Sequence, residues 1–306
     1  MINIVNKIFP FSKELNKETY SFEKLKNDVS ISMLFGAIEN YSEKSEIRYV
    51  GGCVRKILNN EKVDDIDFAV NIKPYDCIGA LKKKNIKYIE TGLDHGTVTA
   101  IIEKKKLEIT SLRKDIFTDG RHAKVEFSEN WFEDASRRDF TINSIYADKH
   151  GNLYDPFDGK KDLELGKIKF VGDTEKRIKE DYLRILRYVR FFLNYSKIDH
   201  DENVKKIIKQ NIYGMSKVSS ERLLDEFKKI IKSKGFLKLF DDFVCEEVIK
   251  LIFPQFKNFE RFKKLNEFLE KKIKEFDFIF LVSLMIVDQT DNVDYFLYKF
   301  NVSNAD

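Results

Sequence analysis

From Ile47 to Leu112 the apolar positions come in short β-branched bursts, IRYV, DIDFAV, KYIE, GTVTAII and LEITSL, separated by turns, and this pattern predicts strands. Between the second and third bursts, YDCIGALKKK follows Pro74 with helical spacing. Strands mixed with helices indicate an α/β or α+β head. After about Asp139 the strand signal almost vanishes. DYLRILRYVRFFL, SSERLLDEFKKIIK, FERFKKLNEFLEKKIKEF and DFIFLVSLMIV instead repeat their apolar residues at helical period, which predicts a helical second half. HGNLYDPFDGKKDL, rich in Gly, Asp and Pro, is the turn cluster expected at the junction.

One burst breaks its own pattern. In VDDIDFAV, Val63 to Val70, a side-chain period of two sets Asp65 and Asp67 on one strand face and Ile66, Phe68 and Val70 on the other. Two acids side by side repel, so something positive is expected over them. A solvated edge strand is the plain explanation for Asp-x-Asp. The sharper one is a pair of oxygen ligands for a hard divalent ion such as Mg²⁺.

The neighbouring segments favour the second explanation. RYVGGCVRK reads as a strand, two glycines and the start of a helix. Gly51 and Gly52 let backbone N–H groups approach a phosphate, and Arg55 supplies charge. LEITSLRKD brings Glu108 as a third carboxylate for the same face. DASRRDFTINSIYAD sets Arg137 and Arg138 before Asp139, Thr141 and Asn143, a mixture suited to phosphate and ribose. In EDYLRILRYVRFF, Ile185, Leu186, Val189, Phe192 and Leu193 form an apolar stripe opposite Arg184, Arg187 and Arg190. A helix docked by its apolar side, with its basic side in water, accounts for that periodicity. Asp181, one turn before Arg184, adds the acceptor and donor set that can pair with a base edge.

Composition adds limits. The 306 residues allow two or three domains, and 35% charged residues describe a soluble globular chain. The net charge of +4 permits a polyanionic partner without demanding one. Cys53, Cys77 and Cys245 have neither zinc-site nor disulfide spacing, which suits a reducing compartment. No apolar run approaches the roughly 20 residues of a membrane span. The N-terminal MINIVNKIFPFSKEL makes a poor signal peptide, so a cytoplasmic protein is expected. The runs Lys82 to Lys84 and Lys104 to Lys106 read as solvated surface.

Taken in order, GGCVRK, DDIDF, TGLDHGTVT, LEITSLR, DGRHAKVEF, RRDFTINSIY, DPFDGKKDL, EDYLRILRYVRF and SSERLLDEF resemble the class II tRNA nucleotidyltransferases, the CCA-adding enzymes of the tRNA nucleotidyltransferase and poly(A) polymerase family. The resemblance implies an α+β fold: a polymerase-β-type nucleotidyltransferase head with a mixed sheet over residues 1–150, a helical neck over 151–235 and a shortened helical body and tail over 236–306. It implies Mg²⁺-dependent addition of CMP and AMP from CTP and ATP to the 3′ end of tRNA, with pyrophosphate released. No membrane and no obligatory protein partner are implied. Asp65 and Asp67 match the metal-binding aspartates, and Glu108 a catalytic carboxylate. Gly52, Arg55 and Arg138 match contacts to the incoming nucleotide, and Arg187 and Arg190 further ones. Asp181 and Arg184 match the pair that reads the base edge, and Glu221 and Arg222 a motif that supports their helix.

His95 reads as a turn residue before a strand rather than a catalytic base, His122 as a solvent-facing residue in a segment resembling the family's flexible loop, and Trp131 as a packing residue of the head. Lys56 stands where the family usually has Asp, and residues after about Ser233 match poorly. A CC-adding or A-adding partial enzyme or a poly(A) polymerase is the nearest alternative. A noncatalytic RNA-binding protein is the rival from another class.

Overall fold

The computed structural model describes residues 22–118, 123–264, 272–300 and 302. Its contacts sort the chain into two compact units. The first holds the described residues up to Arg113 together with Phe127–Ala135 and Asn143–Pro156; the second holds those of Lys114–Glu126, Ser136–Ile142 and Phe157 onward.

The first unit is built on a mixed sheet. Its strands are β1 (Ile47–Val50), β2 (Asp67–Val70), β3 (Lys87–Gly92), β4 (Thr97–Ile102), β5 (Lys105–Ser111), β8 (Tyr146–Ala147) and β9 (Leu153–Tyr154), in the spatial order β3-β4-β5-β2-β1-β8-β9. The β2–β5 pair is parallel and its neighbours are antiparallel. The α-helices of this unit are α1 (Phe22–Lys26), α2 (Val29–Glu39), α3 (Gly52–Leu58), α4 (Pro74–Lys83) and most of α5 (Trp131–Ser136). Asp28 starts α2 by accepting from the backbone N–H groups of Ser30 and Ile31 at 3.0 and 3.3 Å, and Pro74 opens α4, where a missing N–H costs nothing. Phe35 of α2, Tyr49 of β1 and Phe68 of β2 meet with ring centroids 5.1 to 5.9 Å apart, and the three anchor the core. Phe68 and Val70 are fully buried, each stabilising the unit by roughly 1.5–3 kcal/mol, which fixes the register of β2.

The second unit contains all but the end residues Arg113 and Phe127 of a two-stranded sheet of β6 (Arg113–Thr118) and β7 (Ala123–Phe127), then a run of helices: α6 (Gly159–Leu165), α7 (Thr174–Glu180), α8 (Leu183–Tyr195), α9 (Glu202–Asn211), α10 (Ser220–Ile231), α11 (Phe243–Ile252), α12 (Glu260–Lys263), α13 (Phe278–Ile286) and α14 (Asn292–Phe300). Phenylalanine fills its interior. Phe140 meets Phe170 at 4.7 Å and Phe191 at 5.1 Å, and Phe227 lies 4.9 Å from both Phe253 and Phe256.

Three expectations need revision. Asp65 lies outside the strand, because β1 gives way to the Gly51 turn after Val50 and leaves the chain ahead of Asp67 no ladder partner on that side. Two short strands, β8 and β9, extend the sheet beyond Asp139. The segment resembling a flexible loop has strands on both sides, β6 and β7; its centre, residues 119–122 with His122, lies outside the described residues.

Candidate active site

In the first unit the parallel pairing of β2 with β5 places Asp67 in register with Glu108. Residues in register on neighbouring strands project their side chains to the same face. Asp65, Asp67 and Glu108 are all exposed, so the two aspartates avoid the desolvation cost of a buried pair. Glu108 nevertheless has its pKa pushed above the usual carboxylate value, by partial burial first and then by the negative charges of Asp67 and Asp65. That coupling shows the three carboxylates sharing one electrostatic neighbourhood. A divalent cation held by Asp65 and Asp67 would relieve it, and an all-oxygen donor set suits Mg²⁺.

Beside them, Gly51 has φ 66° and ψ −119°, a conformation that needs glycine, and it turns the chain from β1 into α3. Gly52 begins α3, and the nearest atom to a Cβ built there is Arg55 Nη2 at 3.9 Å. The space over the helix start is therefore open, with backbone N–H groups directed out of it. Arg55 is 7% exposed, and its guanidinium donates to the Asn143 side chain. Lys56 donates to Asp64 at 3.1 Å, so the substituted position steadies the segment just before Asp65. His95 is exposed in the 3₁₀ turn Leu93–His95 before β4, and Trp131 packs on Tyr146 at 5.3 Å with the Arg48 guanidinium over its ring at 4.1 Å. Both fit the roles expected of them.

The second unit carries the arginines. Asp181 ends α7; it accepts from the backbone N–H of Leu183 at 3.2 Å and from Arg222 of α10 at 2.7 Å. Lys179 to Tyr182, Ser216 to Ser220 and Arg222 line a cleft of about 570 Å³ there. Arg184 is held separately. Its guanidinium donates to Glu180 at 2.7 Å, to the carbonyl of Arg177 at 2.8 Å and to that of Arg137 at 3.4 Å. The side chains of Asp181 and Arg184 are thus each held by a different partner. Arg222, expected as a support, is the residue bonded to Asp181. Arg138 is half-buried in the bend before Phe140.

The basic side of α8 is not simply in water. Arg187 donates to Asp139 at 2.7 Å, and burial, which opposes its charge, is outweighed by Asp139 and Glu226, so its pKa rises. Arg190 pairs with Glu226 at 2.5 Å, and Glu226 is 1% exposed. Both acids lie far from these arginines in sequence, which is why helical periodicity could not find them. Phe191 lies on the arginine side, buried with the Arg190 guanidinium 4.3 Å from its ring centroid, whereas Phe192 of the apolar stripe is half-buried and stacks on His200.

Comparison with known proteins places the chain in a family. Residues 47–169 match the model of the poly A polymerase head domain, and residues 199–260 match that of the probable RNA and SrmB-binding site of polymerase A. Together these matches take in more than half of the chain, which belongs to the tRNA nucleotidyltransferase and poly(A) polymerase family. Among its relatives, the human mitochondrial CCA tRNA nucleotidyltransferase 1 is 45% identical over 195 residues, 62% of this chain and 44% of the relative. The CCA-adding enzyme of Lactobacillus delbrueckii subsp. bulgaricus is 39% identical over 202 residues, 65% of this chain and 50% of the relative. The chain therefore spans about half the length of the curated relatives it matches. In fold it is similar to the Bacillus stearothermophilus CCA-adding enzyme solved in complex with CTP, with a TM-score of 0.62 and 24% identity over 81% of this chain and 69% of that one. Among the described residues no helix is long and apolar enough to cross a membrane.

Proposed function

We propose that this chain is a CCA-adding tRNA nucleotidyltransferase, transferring CMP and then AMP from CTP and ATP to the 3′ end of tRNA and releasing pyrophosphate. The observation that carries the proposal is the Asp67–Glu108 register with Asp65 close enough to raise the Glu108 pKa, beside a glycine turn that opens a helix start. Asp65 and Asp67 are the residues that would hold Mg²⁺, which when bound favours the ionised 3′-hydroxyl and neutralises charge on the phosphates. Glu108 stands in register with Asp67 and orients that cluster. The Gly52 backbone and Arg55 serve the triphosphate, and Arg138 serves phosphate and ribose. Asp181 and Arg184 offer an acceptor and donors to the base edge, so protein takes the place of a template strand. Arg187 and Arg190 hold α8 through Asp139 and Glu226 and add positive charge to its exposed side.

The relatives named as CCA tRNA nucleotidyltransferases support tRNA as the substrate, and phosphate contacts would make its binding weaken with salt. A cytoplasmic location is proposed on the sequence alone; the human relative named as mitochondrial makes the mitochondrion the other compartment to test. The deciding assay incubates tRNA lacking its CCA end with Mg²⁺ and each labelled nucleotide, with products resolved to single nucleotides. Growth by C, C and A supports the reading. Growth by A alone, by C alone or into a long A tract assigns one of the partial or poly(A)-forming activities. No growth leaves RNA binding as the function.

A further inference from the structure

We propose that His200, Asp242 and Cys245 form a binding site for a divalent transition-metal ion of the Zn²⁺ class, within the helical unit and separate from the carboxylates of the head. One potential ligand atom from each lies within 4.8 Å of the others. His200 Nε2 is 3.0 and 3.1 Å from the two Asp242 carboxylate oxygens and 3.9 Å from Cys245 Sγ. Donors around a tetrahedral Zn²⁺ at its usual bond lengths stand roughly 3.3–3.8 Å apart, so only small adjustments are needed.

A hydrogen-bonded cluster is the plain alternative, and two features go beyond it. Nε2 carries at most one proton, yet two carboxylate oxygens and a sulfur converge on it. The other ring nitrogen, Nδ1, is 3.0 Å from the Tyr188 hydroxyl, and the ring stacks on Phe192. Outer hydrogen bonds of this kind orient a histidine whose second nitrogen binds metal. Asp242 also caps α11 through the backbone N–H of Cys245 at 2.8 Å, which fixes the spacing of those two ligands. The chemistry is specific: a thiolate, an imidazole and one carboxylate favour Zn²⁺ over Mg²⁺ or Ca²⁺. On binding, a metal–sulfur bond replaces the Cys245 S–H bond and the thiol proton leaves to solvent. The His200 proton resides on Nδ1 and is donated to Tyr188. The Asp242 side chain is 23% exposed, which leaves water access to the fourth position. The ion would tie residue 200 and the start of α11 to α8, the helix of Arg184, Arg187 and Arg190.

The test titrates the full chain with Co²⁺, whose thiolate charge-transfer absorption reports Cys245 directly; oxygen-only binding at Asp65 and Asp67 lacks it. The expected result is a band saturating at one Co²⁺ per chain, displaced by Zn²⁺, absent in Cys245→Ser and weakened in affinity about 10- to 100-fold in Tyr188→Phe. Asp242→Asn keeps a helix cap while removing the charged ligand, so it provides a folded variant should Cys245→Ser fail to fold; its Co²⁺ affinity is expected to fall at least as far as that of Tyr188→Phe. No thiolate band in the unaltered chain, a band that survives Cys245→Ser, or an affinity unchanged in Asp242→Asn overturns the proposal.

Discussion

Asp67 and Glu108 face each other in register on adjacent parallel strands, so two like charges share one face of the head's sheet. The folded protein raises the pKa of Glu108, so the protonated form is favoured in the fold. Stability from this group is then fully present below the unfolded carboxylate pKa, roughly 4.3, and is lost as pH rises through the higher folded value. Glu108→Gln should be neutral at low pH and stabilising above the carboxylate range, by no more than about 1 kcal/mol because the group is solvent-screened. Thermal melts of both proteins in chelator across this range would show the gap opening with pH; a constant gap contradicts the electrostatic account. Mg²⁺ should close the gap by stabilising the unaltered protein more.

The two glycines of the β1–α3 turn should separate folding from activity. Gly51→Ala forces a side chain into a backbone conformation reserved for glycine and should cost about 1–3 kcal/mol by chemical denaturation. Gly52→Ala meets no clash and should fold normally, while nucleotide addition falls because a methyl group enters the phosphate approach. Equal activity in Gly52→Ala and the unaltered protein would remove Gly52 from the site.

Arg222 fixes Asp181 at 2.7 Å, so Arg222→Ala should loosen base selection without touching the carboxylate cluster. A lost base-edge contact is worth about 1–3 kcal/mol, so discrimination against UTP and GTP should drop by roughly tenfold or more. The measurement is kcat/KM for all four triphosphates. A uniform loss with unchanged ratios would make Asp181 and Arg222 structural.

Glu226 is the buried counter-charge of Arg190 and lies 4.0 Å from Arg187. Its removal in Glu226→Ala takes away the buried counter-charge of Arg190, while Arg187 keeps Asp139, and should cost about 3–5 kcal/mol in urea unfolding. Glu226→Gln retains a hydrogen-bond acceptor and should cost less. A surface-like loss below about 1 kcal/mol for the alanine variant would mean that the arginines find solvent instead.

What the sequence revealed followed from short-range patterns. IRYV, GTVTAII and LEITSL became β1, β4 and β5 because β-branched residues in alternation specify strand and inward face together. Asp67 and Glu108 were legible each as an acid on a strand, but their register across 41 positions came only from the β2–β5 pairing. The two residues of β8 are too few to express any period, so that strand was hidden. The partners of the α8 arginines were hidden differently: Asp139 is 48 positions from Arg187 and Glu226 is 36 from Arg190, separations at which helical spacing carries no information. Arg222 emerged only through family likeness, and its bond to Asp181 spans 41 positions. The gathering of His200 with Cys245, 45 positions apart, had no local signal at all.

Ser136–Ile142 belongs to the helical unit although the segments on both sides of it belong to the head. A chain made from its N-terminus onward therefore delivers this strip before the residues it needs: Phe140 waits for Phe170, and Asp139 waits for Arg187. Once Pro156 has emerged, every segment of the head exists, while Phe170 and Arg187 are still to be made. The order of synthesis thus opens an interval in which this strip precedes the helical residues it packs against, so the two units are interleaved in time as well as in sequence.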